Sequence, residues 1–242
     1  VYAGPSAVAV GLILSVVGLV GLIFGTTAGL WVARIGPRRA IVAAMALGAV
    51  MSALQVLPLP YAGLILSRVL EGVSHLAIVV VGPTMIAGLT PPRHQGLAMT
   101  LWSSFFGVTY VLLAVIAPPL LAGGSIAPLF LGHAVWMAGL AVILRLLLPP
   151  DPPARAVALG ADLIRQHGQI YASAHVAAPA MGFVCYTVTY VAVLTLLPAQ
   201  VAAGWGGFVA VAMPLVSIAV SLTLGVWLLG RMQAFRLVQA GF

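Results

Sequence analysis

Seven long apolar runs make up most of this sequence, and short connections rich in proline, glycine and charge separate them. The runs cover residues 8–32, 40–57, 62–89, 96–121, 126–148, 175–199 and 207–230. An α-helix needs about 20 consecutive apolar residues to cross the hydrocarbon core of a bilayer. A membrane β-barrel would instead show short segments of alternating polarity. The runs therefore predict an all-α membrane protein, a polytopic bundle of transmembrane helices.

The composition excludes several other classes of protein. Of the 242 residues, 63% are hydrophobic and 5% are charged, whereas soluble domains have roughly 25% charged residues. We therefore exclude a water-soluble enzyme. We also expect no nucleic-acid partner, because the ten arginines do not form one solvated patch. The single cysteine excludes a disulfide within the chain, and the lack of lysine excludes a retinal Schiff base.

Basic residues occur in every second connection between the runs. They are Arg34, Arg38 and Arg39 in the first connection, Arg93 in the third, Arg155 and Arg165 in the fifth, and Arg231 and Arg236 after the last run. The second, fourth and sixth connections are uncharged. Cytoplasmic loops are enriched in Arg and Lys. The pattern predicts a multi-pass protein of the cytoplasmic (inner) membrane, with residue 1 outside and residue 242 on the cytoplasmic side.

Two short segments far apart in the chain are similar. Gly29-Leu30-Trp31-Val32 ends the first run, and Gly225-Val226-Trp227-Leu228 ends the last. Both follow long helices rich in small residues, and both precede a basic turn on the predicted cytoplasmic side. Internal repeats are typical of secondary transporters. We therefore predict a slice of a two-fold repeat, truncated at both ends, with one helix missing in front and several behind.

Two further motifs lie one predicted helix apart. Residues 29–39 read Gly-Leu-Trp-Val-Ala-Arg-Ile-Gly-Pro-Arg-Arg, and residues 68–72 read Arg-Val-Leu-Glu-Gly. They resemble the Gly-x-x-x-Asp-Arg-x-Gly-Arg-Arg loop and the Arg-x-x-Gln-Gly motif of major facilitator superfamily (MFS) transporters. The residues that match the first motif are Gly29, Arg34, Gly36, Arg38 and Arg39. Ala33 stands where the family usually has Asp.

The resemblance covers the whole chain, read as helices two to eight of twelve. It implies an N-terminal helix bundle over residues 1–148, a central cytoplasmic loop over 149–174 and the start of a C-terminal bundle over 175–242. We favour a plain linker for 149–174 over a short surface helix. It also implies that the first motif is a cytoplasmic gating loop that latches the two halves. Positive charge that only sets topology is the alternative, and the loss of the acid at Ala33 leaves both open.

Arg68 and Glu71 are charged residues well inside a predicted span, and His75 follows on the same helix face. Charges inside a bilayer are costly and usually mark function. At 1.5 Å per residue, Glu71 lies roughly 14 Å below the outer surface, where transporter sites tend to lie. We predict that Glu71 is protonatable, that Arg68 is its partner or a counter-ion for an anionic substrate, and that His75 extends the relay. A closed ion pair, with a histidine bonded to a neighbouring helix, is the alternative.

Other polar residues on the predicted spans are candidates for lining a cavity, with interhelix packing as the alternative for each. They are Trp102, Ser103, Tyr110, His133, Tyr186 and Tyr190. We expect no metal and no cofactor, because the chain has no metal-ligand spacing, phosphate-binding glycine loop or nucleophile elbow.

The resemblance implies a monomeric secondary transporter, and no enzyme, that moves a small organic solute by alternating access. We expect coupling to protons. An uncoupled facilitator of the same fold and a non-transporting membrane sensor or scaffold are the alternatives. An intramembrane enzyme is disfavoured, because no catalytic arrangement is visible around Arg68, Glu71 and His75.

Overall fold

The computed structural model describes residues 7–151, 163–202, 204–233 and 236–237, which are α-helical and contain no β-strand. The helices are α1 (Ala7–Ile35), α2 (Pro37–Leu54), α3 (Tyr61–Leu89), α4 (Gln95–Ser103), α5 (Phe105–Leu121), α6 (Ala127–Leu147), α7 (Leu163–Ala172), α8 (Ala174–Gln200), α9 (Gly206–Val220) and α10 (Val226–Leu229). A 3-10 turn precedes α4, and a π-helical segment, Ser221–Gly225, joins α9 to α10. The predicted fold class, a polytopic bundle of membrane helices, is confirmed.

Each predicted apolar run is helical in the structure. Within the described ranges, five helical segments are long and apolar enough to span a membrane: Pro37–Leu54, Tyr61–Leu89, Pro92–Leu121, Ala127–Leu147 and Gly206–Leu229. The first run is a sixth if its two parts, which are bent by 78°, form one span. In α8 the apolar part, Val184–Gln200, is shorter. By length and hydropathy, five of the seven predicted runs are therefore spans and the first run is a broken span. The sixth run, in α8, is shorter than a span.

The bend in α1 coincides with a local side-chain contact. It separates Ser15–Gly25 from Thr27–Ile35, and the Thr27 hydroxyl donates a hydrogen bond to the carbonyl oxygen of Phe24 at 3.0 Å. A Thr hydroxyl that bonds to the preceding turn competes with the regular helix ladder and favours a slight bend. Glycine at position 25 adds backbone freedom at the same place.

Helix contacts divide the chain into two compact units. The first comprises Val1–Met85 and Gly123–Tyr171, and the second comprises Ile86–Ala122 and Ala172–Phe242. The units therefore interleave along the sequence. The division into two bundles joined by a central loop, with boundaries at 148 and 175, follows the chain and stays a prediction.

The core of the first unit lies where α2 packs against α3 and α6. It contains Ala40, Ile41, Met45 and Ala49 of α2, Val81 of α3, and Met137 and Ala141 of α6. Small side chains allow the helix backbones to approach closely, as in many membrane helix pairs. At Gly48, for example, a Cβ atom would lie 2.8 Å from the Ser74 hydroxyl oxygen. A side chain at position 48 would therefore displace the side chains of Ser74 on α3 and Met137 on α6.

The order of contacts gives the direction of α1 relative to α3. Tyr61 donates to the carbonyl oxygen of Ala9 at 3.2 Å, and further along both helices the Gly72 Cα lies against Val20. The two helices therefore run parallel. The contacts of α2 with α3 run in the opposite sense, because Gln55 bonds to Glu71 whereas Ser74 bonds to the earlier residue Ala44. Alternating directions are those of consecutive membrane crossings.

The second unit is built on packing of α9 against α5 and α8. At Gly107 of α5, a Cβ atom would lie 2.9 Å from Ile218 Cγ1 and 3.3 Å from the carbonyl oxygen of Pro214. Pro214 is itself fully buried. A residue without a side chain at position 107 therefore allows α5 and α9 to approach closely.

The long fifth connection is partly helical, although the sequence favoured a plain linker there. Residues 163–172 form α7, whose composition mixes apolar and polar residues. Asp151, at the other end of this connection, packs against the basic turn described below. Residues 152–162, including Arg155, lie outside the described residues.

Candidate functional site

The predicted pair of charges on α3 is in direct contact. Arg68 Nη1 lies 2.5 Å from Glu71 Oε2, and the two side chains are 19% and 21% exposed. Their spacing of three residues places them one turn apart on one helix face. Arg68 Nε also donates to the carbonyl oxygen of Ile13 on α1 at 3.3 Å. Arg68 therefore links Glu71 to α1.

A third side chain, Gln55, completes this cluster. Gln55 is the residue that follows α2, and it is 7% exposed. Its Nε2 donates to Glu71 Oε2 at 2.8 Å and to the Ser67 hydroxyl oxygen at 3.3 Å. Ser67 in turn donates to the carbonyl oxygen of Leu64 at 2.7 Å. One oxygen of Glu71 thus accepts from both a guanidinium and an amide, so the carboxylate is held from α2 and from α3. We call Gln55, Ser67, Arg68 and Glu71 the polar cluster.

His75, the third predicted residue of the relay, is exposed in the structure. It lies one turn beyond Glu71 on α3, and no hydrogen bond joins it to another described residue. The structure therefore brings together Arg68 and Glu71, whereas the role of His75 as a relay stays a prediction.

His133, a predicted cavity-lining residue, lies near the same end of α2. Its Nδ1 is 2.6 Å from the hydroxyl oxygen of Ser52, and Ser52 is 1% exposed. This contact joins α6 to α2 one turn before Gln55. A hydrogen bond between neighbouring helices is the packing role that the sequence left open for His133.

The other five cavity-lining candidates belong to the second unit. Ser103 donates to the Met99 carbonyl oxygen of its own helix at 2.8 Å, and the Trp102 ring packs against Phe105 with centroids 5.7 Å apart. Tyr110 is partly buried on α5. The rings of Tyr186 and Tyr190 are stacked with centroids 5.4 Å apart on α8. None of these contacts identifies a solute site, so the cavity-lining role of the five residues stays a prediction.

The basic turn between α1 and α2 is capped by an acid that the sequence analysis did not assign. Asp151, just beyond the end of α6, accepts the backbone N–H groups of Arg38 and Arg39 at 2.7 and 3.1 Å through separate oxygens. These are amides of the first turn of α2, which lack partners within the helix. The side chain of Arg38 also donates to the carbonyl oxygen of Arg145. The first turn of α2 and the residue just beyond α6, which are 113 positions apart in the chain, are thus joined by hydrogen bonds. We call this contact the clamp.

Gly36 is required at this clamp for two reasons. Its φ angle is +97°, a region that L-amino acids with side chains rarely adopt, and a Cβ atom there would lie 2.6 Å from Asp151 Oδ2. Gly29 and Arg34, the other predicted residues of the gating loop, lie near the end of α1. Arg34 is exposed, and a Cβ atom at Gly29 would meet no described atom within 4 Å.

Gln55 and Asp151 are the residues that sequence reasoning missed. Gln55 is a polar residue at the end of an apolar run, directly before the Leu57–Tyr61 connection, and this is a weak signal. Asp151 gave a stronger signal, because it is one of three acids in the chain and follows Pro149-Pro150 on the same predicted side as the arginines.

The family model described as Major Facilitator Superfamily matches residues 2–242. The chain belongs to this superfamily. It is therefore a multi-pass membrane protein of a family of transporters rather than enzymes. A search of curated proteins returned no match. Within the described residues, this MFS chain has no group of three or more His, Cys, Asp or Glu side chains that could hold a metal ion.

Proposed function

We propose that the protein is a proton-coupled secondary transporter of a small organic solute, with Glu71 as the group that takes up the proton. The observation that carries this proposal is the polar cluster on a membrane-spanning helix. Glu71 is the only glutamate of the sequence, and it lies about 15 Å along α3 from Tyr61. Burying a carboxylate there is costly, and its presence on a span favours a use beyond packing.

The contacts of Arg68 suggest how a proton and a solute would be coupled. In the structure, the guanidinium is bound to the Glu71 carboxylate at 2.5 Å. If Glu71 takes up a proton, the ion pair loses its attraction and Arg68 keeps a buried positive charge without a counter-ion. A carboxylate or another anionic group of a solute would then restore neutrality. Proton and anionic solute would therefore bind together, as transport in the same direction requires.

Alternating access would convert this coupled binding into transport. The pair is about one-fifth exposed, so a proton reaches Glu71 without unfolding of the helix. Exposure to one side of the membrane at a time would let the proton and the solute enter from that side and leave on the other. We further propose that the protein acts as a monomer in the cytoplasmic membrane, with residue 1 outside. The opposite directions of α2 and α3 support the alternating topology behind this orientation.

A second candidate is an uncoupled facilitator. The observation that favours it is the double hydrogen bonding of Glu71 Oε2 by Arg68 and Gln55. Such contacts stabilise the charged carboxylate, and a permanently charged Glu71 would be a structural ion pair. The two candidates differ in whether solute entry moves protons.

The test uses the protein reconstituted in liposomes that contain a pH-sensitive dye. A panel of amino acids, carboxylic acids, sugars and organic cations is added outside, and the internal pH and solute uptake are both recorded. We expect an anionic solute to acidify the lumen, and Glu71→Gln to abolish the acidification. The matched control is Thr84→Val on the same helix, where the hydroxyl bonds only to its own helix backbone.

Each result separates the candidates. Solute uptake without a pH change in the unmodified protein would favour the facilitator. Acidification that survives Glu71→Gln, at the level of Thr84→Val, would show that Glu71 is not the coupling group. His75→Gln tests the relay separately, because a relay residue would slow the acidification without abolishing it.

A further inference from the structure

We propose that Gln55 is the positioning residue that responds to the protonation of Glu71. Its side-chain amide donates to the charged carboxylate and, after rotation, accepts from the protonated carboxyl. The proposal rests on the proposed function of Glu71 and adds to it a second helix, α2, that changes its contact when the proton binds.

The first observation is an incomplete hydrogen-bond set in a buried place. Gln55 is 7% exposed, and its Nε2 makes two hydrogen bonds. Its Oε1, in contrast, is buried and has no partner among the residues that the structure describes. Buried polar atoms nearly always have a partner, and an exception calls for an explanation. The bonded end of the amide is thus the end that faces Glu71, and this end can be either a donor or an acceptor.

The second observation is the geometry of the amide. Rotation by half a turn about the Cγ–Cδ bond exchanges Oε1 and Nε2, because the two ends of the amide have nearly the same shape. Oε1 would then occupy the place of Nε2, 2.8 Å from Glu71 Oε2. Two oxygens at that distance repel each other unless a hydrogen atom lies between them. The observed orientation fits a charged Glu71, and the rotated one fits a protonated Glu71.

The neighbouring hydroxyl can follow this exchange. Ser67 accepts from Nε2 at 3.3 Å and donates to the Leu64 carbonyl oxygen. A hydroxyl is both donor and acceptor and rotates freely, so it can donate to Oε1 once the amide has turned. In both orientations, the end of the Gln55 amide that faces α3 therefore has partners there.

The groups that face Glu71 come from three helices. Arg68 and His75 are the titratable groups on α3 itself, and α1 contributes the carbonyl oxygen of Ile13, which Arg68 contacts. Gln55 is the contribution of α2, and it is neutral. On α6, His133 is directed to Ser52. Asp151 and the arginines of the basic turn lie at the opposite end of α2, so the nearby groups that act on Glu71 are Arg68, His75 and Gln55.

Because Gln55 lies at the end of α2, rotation of its amide changes how α2 is held on α3. Its backbone N–H still bonds to the Met51 carbonyl oxygen at 3.0 Å, so it ends α2 and begins the connection to α3. A strong bond from the amide to a charged carboxylate holds that end of α2 on α3. Protonation replaces it with a neutral hydrogen bond, which is weaker, and at the same time frees Arg68. The outer end of α2 is thereby loosened when the proton binds.

The experiment follows Glu71 by infrared difference spectroscopy in reconstituted protein during a pH titration. Glutamate is labelled with carbon-13, and the spectrum of Glu71→Gln is subtracted to isolate the Glu71 carboxyl band. Gln55→Met removes the donor while keeping the length of the side chain. We expect the Glu71 carboxyl band of Gln55→Met to appear at a higher pH than in the unmodified protein, because the charged form loses the stronger of the two hydrogen bonds that the amide can make. Ser52→Ala is the matched control and leaves the titration unchanged.

A second variant, Gln55→Glu, keeps the proposal testable if Gln55→Met disturbs the packing. Gln55→Glu keeps the size of the side chain and places two carboxyl groups about 2.8 Å apart, which cannot both be charged. We expect one of the two to keep its proton to a higher pH than Glu71 does in the unmodified protein. In the unmodified protein, a labelled glutamine band assigned to Gln55 shifts together with the Glu71 band, and this shift disappears in Glu71→Gln.

The outcomes separate the two proposals. If Glu71 titrates in the unmodified protein but equally in Gln55→Met and Ser52→Ala, the role of Gln55 is refuted and that of Glu71 stands. A Gln55 band that stays constant while Glu71 titrates has the same meaning. If Glu71 does not titrate at all, it is a permanent ion pair, and both proposals are wrong.

Discussion

Removal of the Asp151 carboxylate tests whether the basic turn is held by a helix cap or by surface charge. In Asp151→Ala, the N–H groups of Arg38 and Arg39 lose the acceptors that now lie at 2.7 and 3.1 Å. A lost helix cap costs about 0.5–2 kcal/mol, and a hydrogen bond to a charged group contributes about 1.5–3 kcal/mol. The Asp151 side chain is 7% exposed, so solvent replaces these bonds poorly. We expect unfolding to be easier by about 2–4 kcal/mol for the two bonds together.

The matched control is Arg39→Ala, which removes the charge but leaves the cap. Arg39 Nε lies 3.8 Å from Asp151 Oδ2, and the Arg39 side chain is 79% exposed, so this ion pair contributes about 0–1 kcal/mol. The assay is unfolding in mixed micelles with increasing denaturing detergent, followed by circular dichroism at low and high salt. Salt screens exposed charges but hardly affects a buried cap. Equal losses in both variants, or a loss in Asp151→Ala that disappears at high salt, would refute the cap.

Three smaller perturbations test the packing of the two units by the same unfolding assay. Gly107→Val places side-chain atoms against Ile218 and should cost about 1–3 kcal/mol through overpacking. Gly139→Val, where a Cβ atom has open space, is its control, and an equal loss would contradict close packing at Gly107. Ser52→Ala removes the 2.6 Å contact with His133 and should cost about 1 kcal/mol; no loss would mean that the contact is not formed. Arg231→Gln removes a guanidinium 3.7 Å from the Trp227 ring centroid and should change tryptophan fluorescence while costing about 0.5–1 kcal/mol, and an unchanged spectrum would argue against the stacking.

The positions of the helices were predictable because the signal for them is local. The length and apolarity of each run decide whether a segment can cross a bilayer, and α3, predicted at 62–89, is observed at Tyr61–Leu89. The spacing of Arg68 and Glu71 was likewise sufficient to predict that they share a helix face, since both residues lie on one helix. The departures from regular helix were not predictable from apolarity. At the bend after Gly25, one hydroxyl bonds to the preceding turn, and the average hydropathy of the run records neither the bend nor this contact.

The contacts between distant segments were not predictable from the sequence for a different reason. The clamp of Asp151 on α2 and the bond of Gln55 to Glu71 both depend on which helices are neighbours. Neither a motif nor a period in one chain fixes that choice. The family motif drew attention to the arginines of the basic turn, whereas in the structure the backbone amides of two of them make the contacts with the acid. Ala33, where the family has an acid, is therefore compatible with an acid at the turn that comes from the end of α6.

The two helices that contain the predicted repeat are both irregular near the repeated Gly-x-Trp segments. The break in α1 lies at residue 26, three residues before Gly29 of the first segment. The π-helical segment begins at Ser221, four residues before Gly225 of the second. Isolated π-helical turns are rare and often occur at functional sites. The two irregularities differ in kind, because α1 is bent by 78° whereas Gly206–Leu229, which contains the π-helical segment, forms one span without a bend of that size. The two-fold repeat therefore stays a prediction, based on the matching segments and their predicted topology.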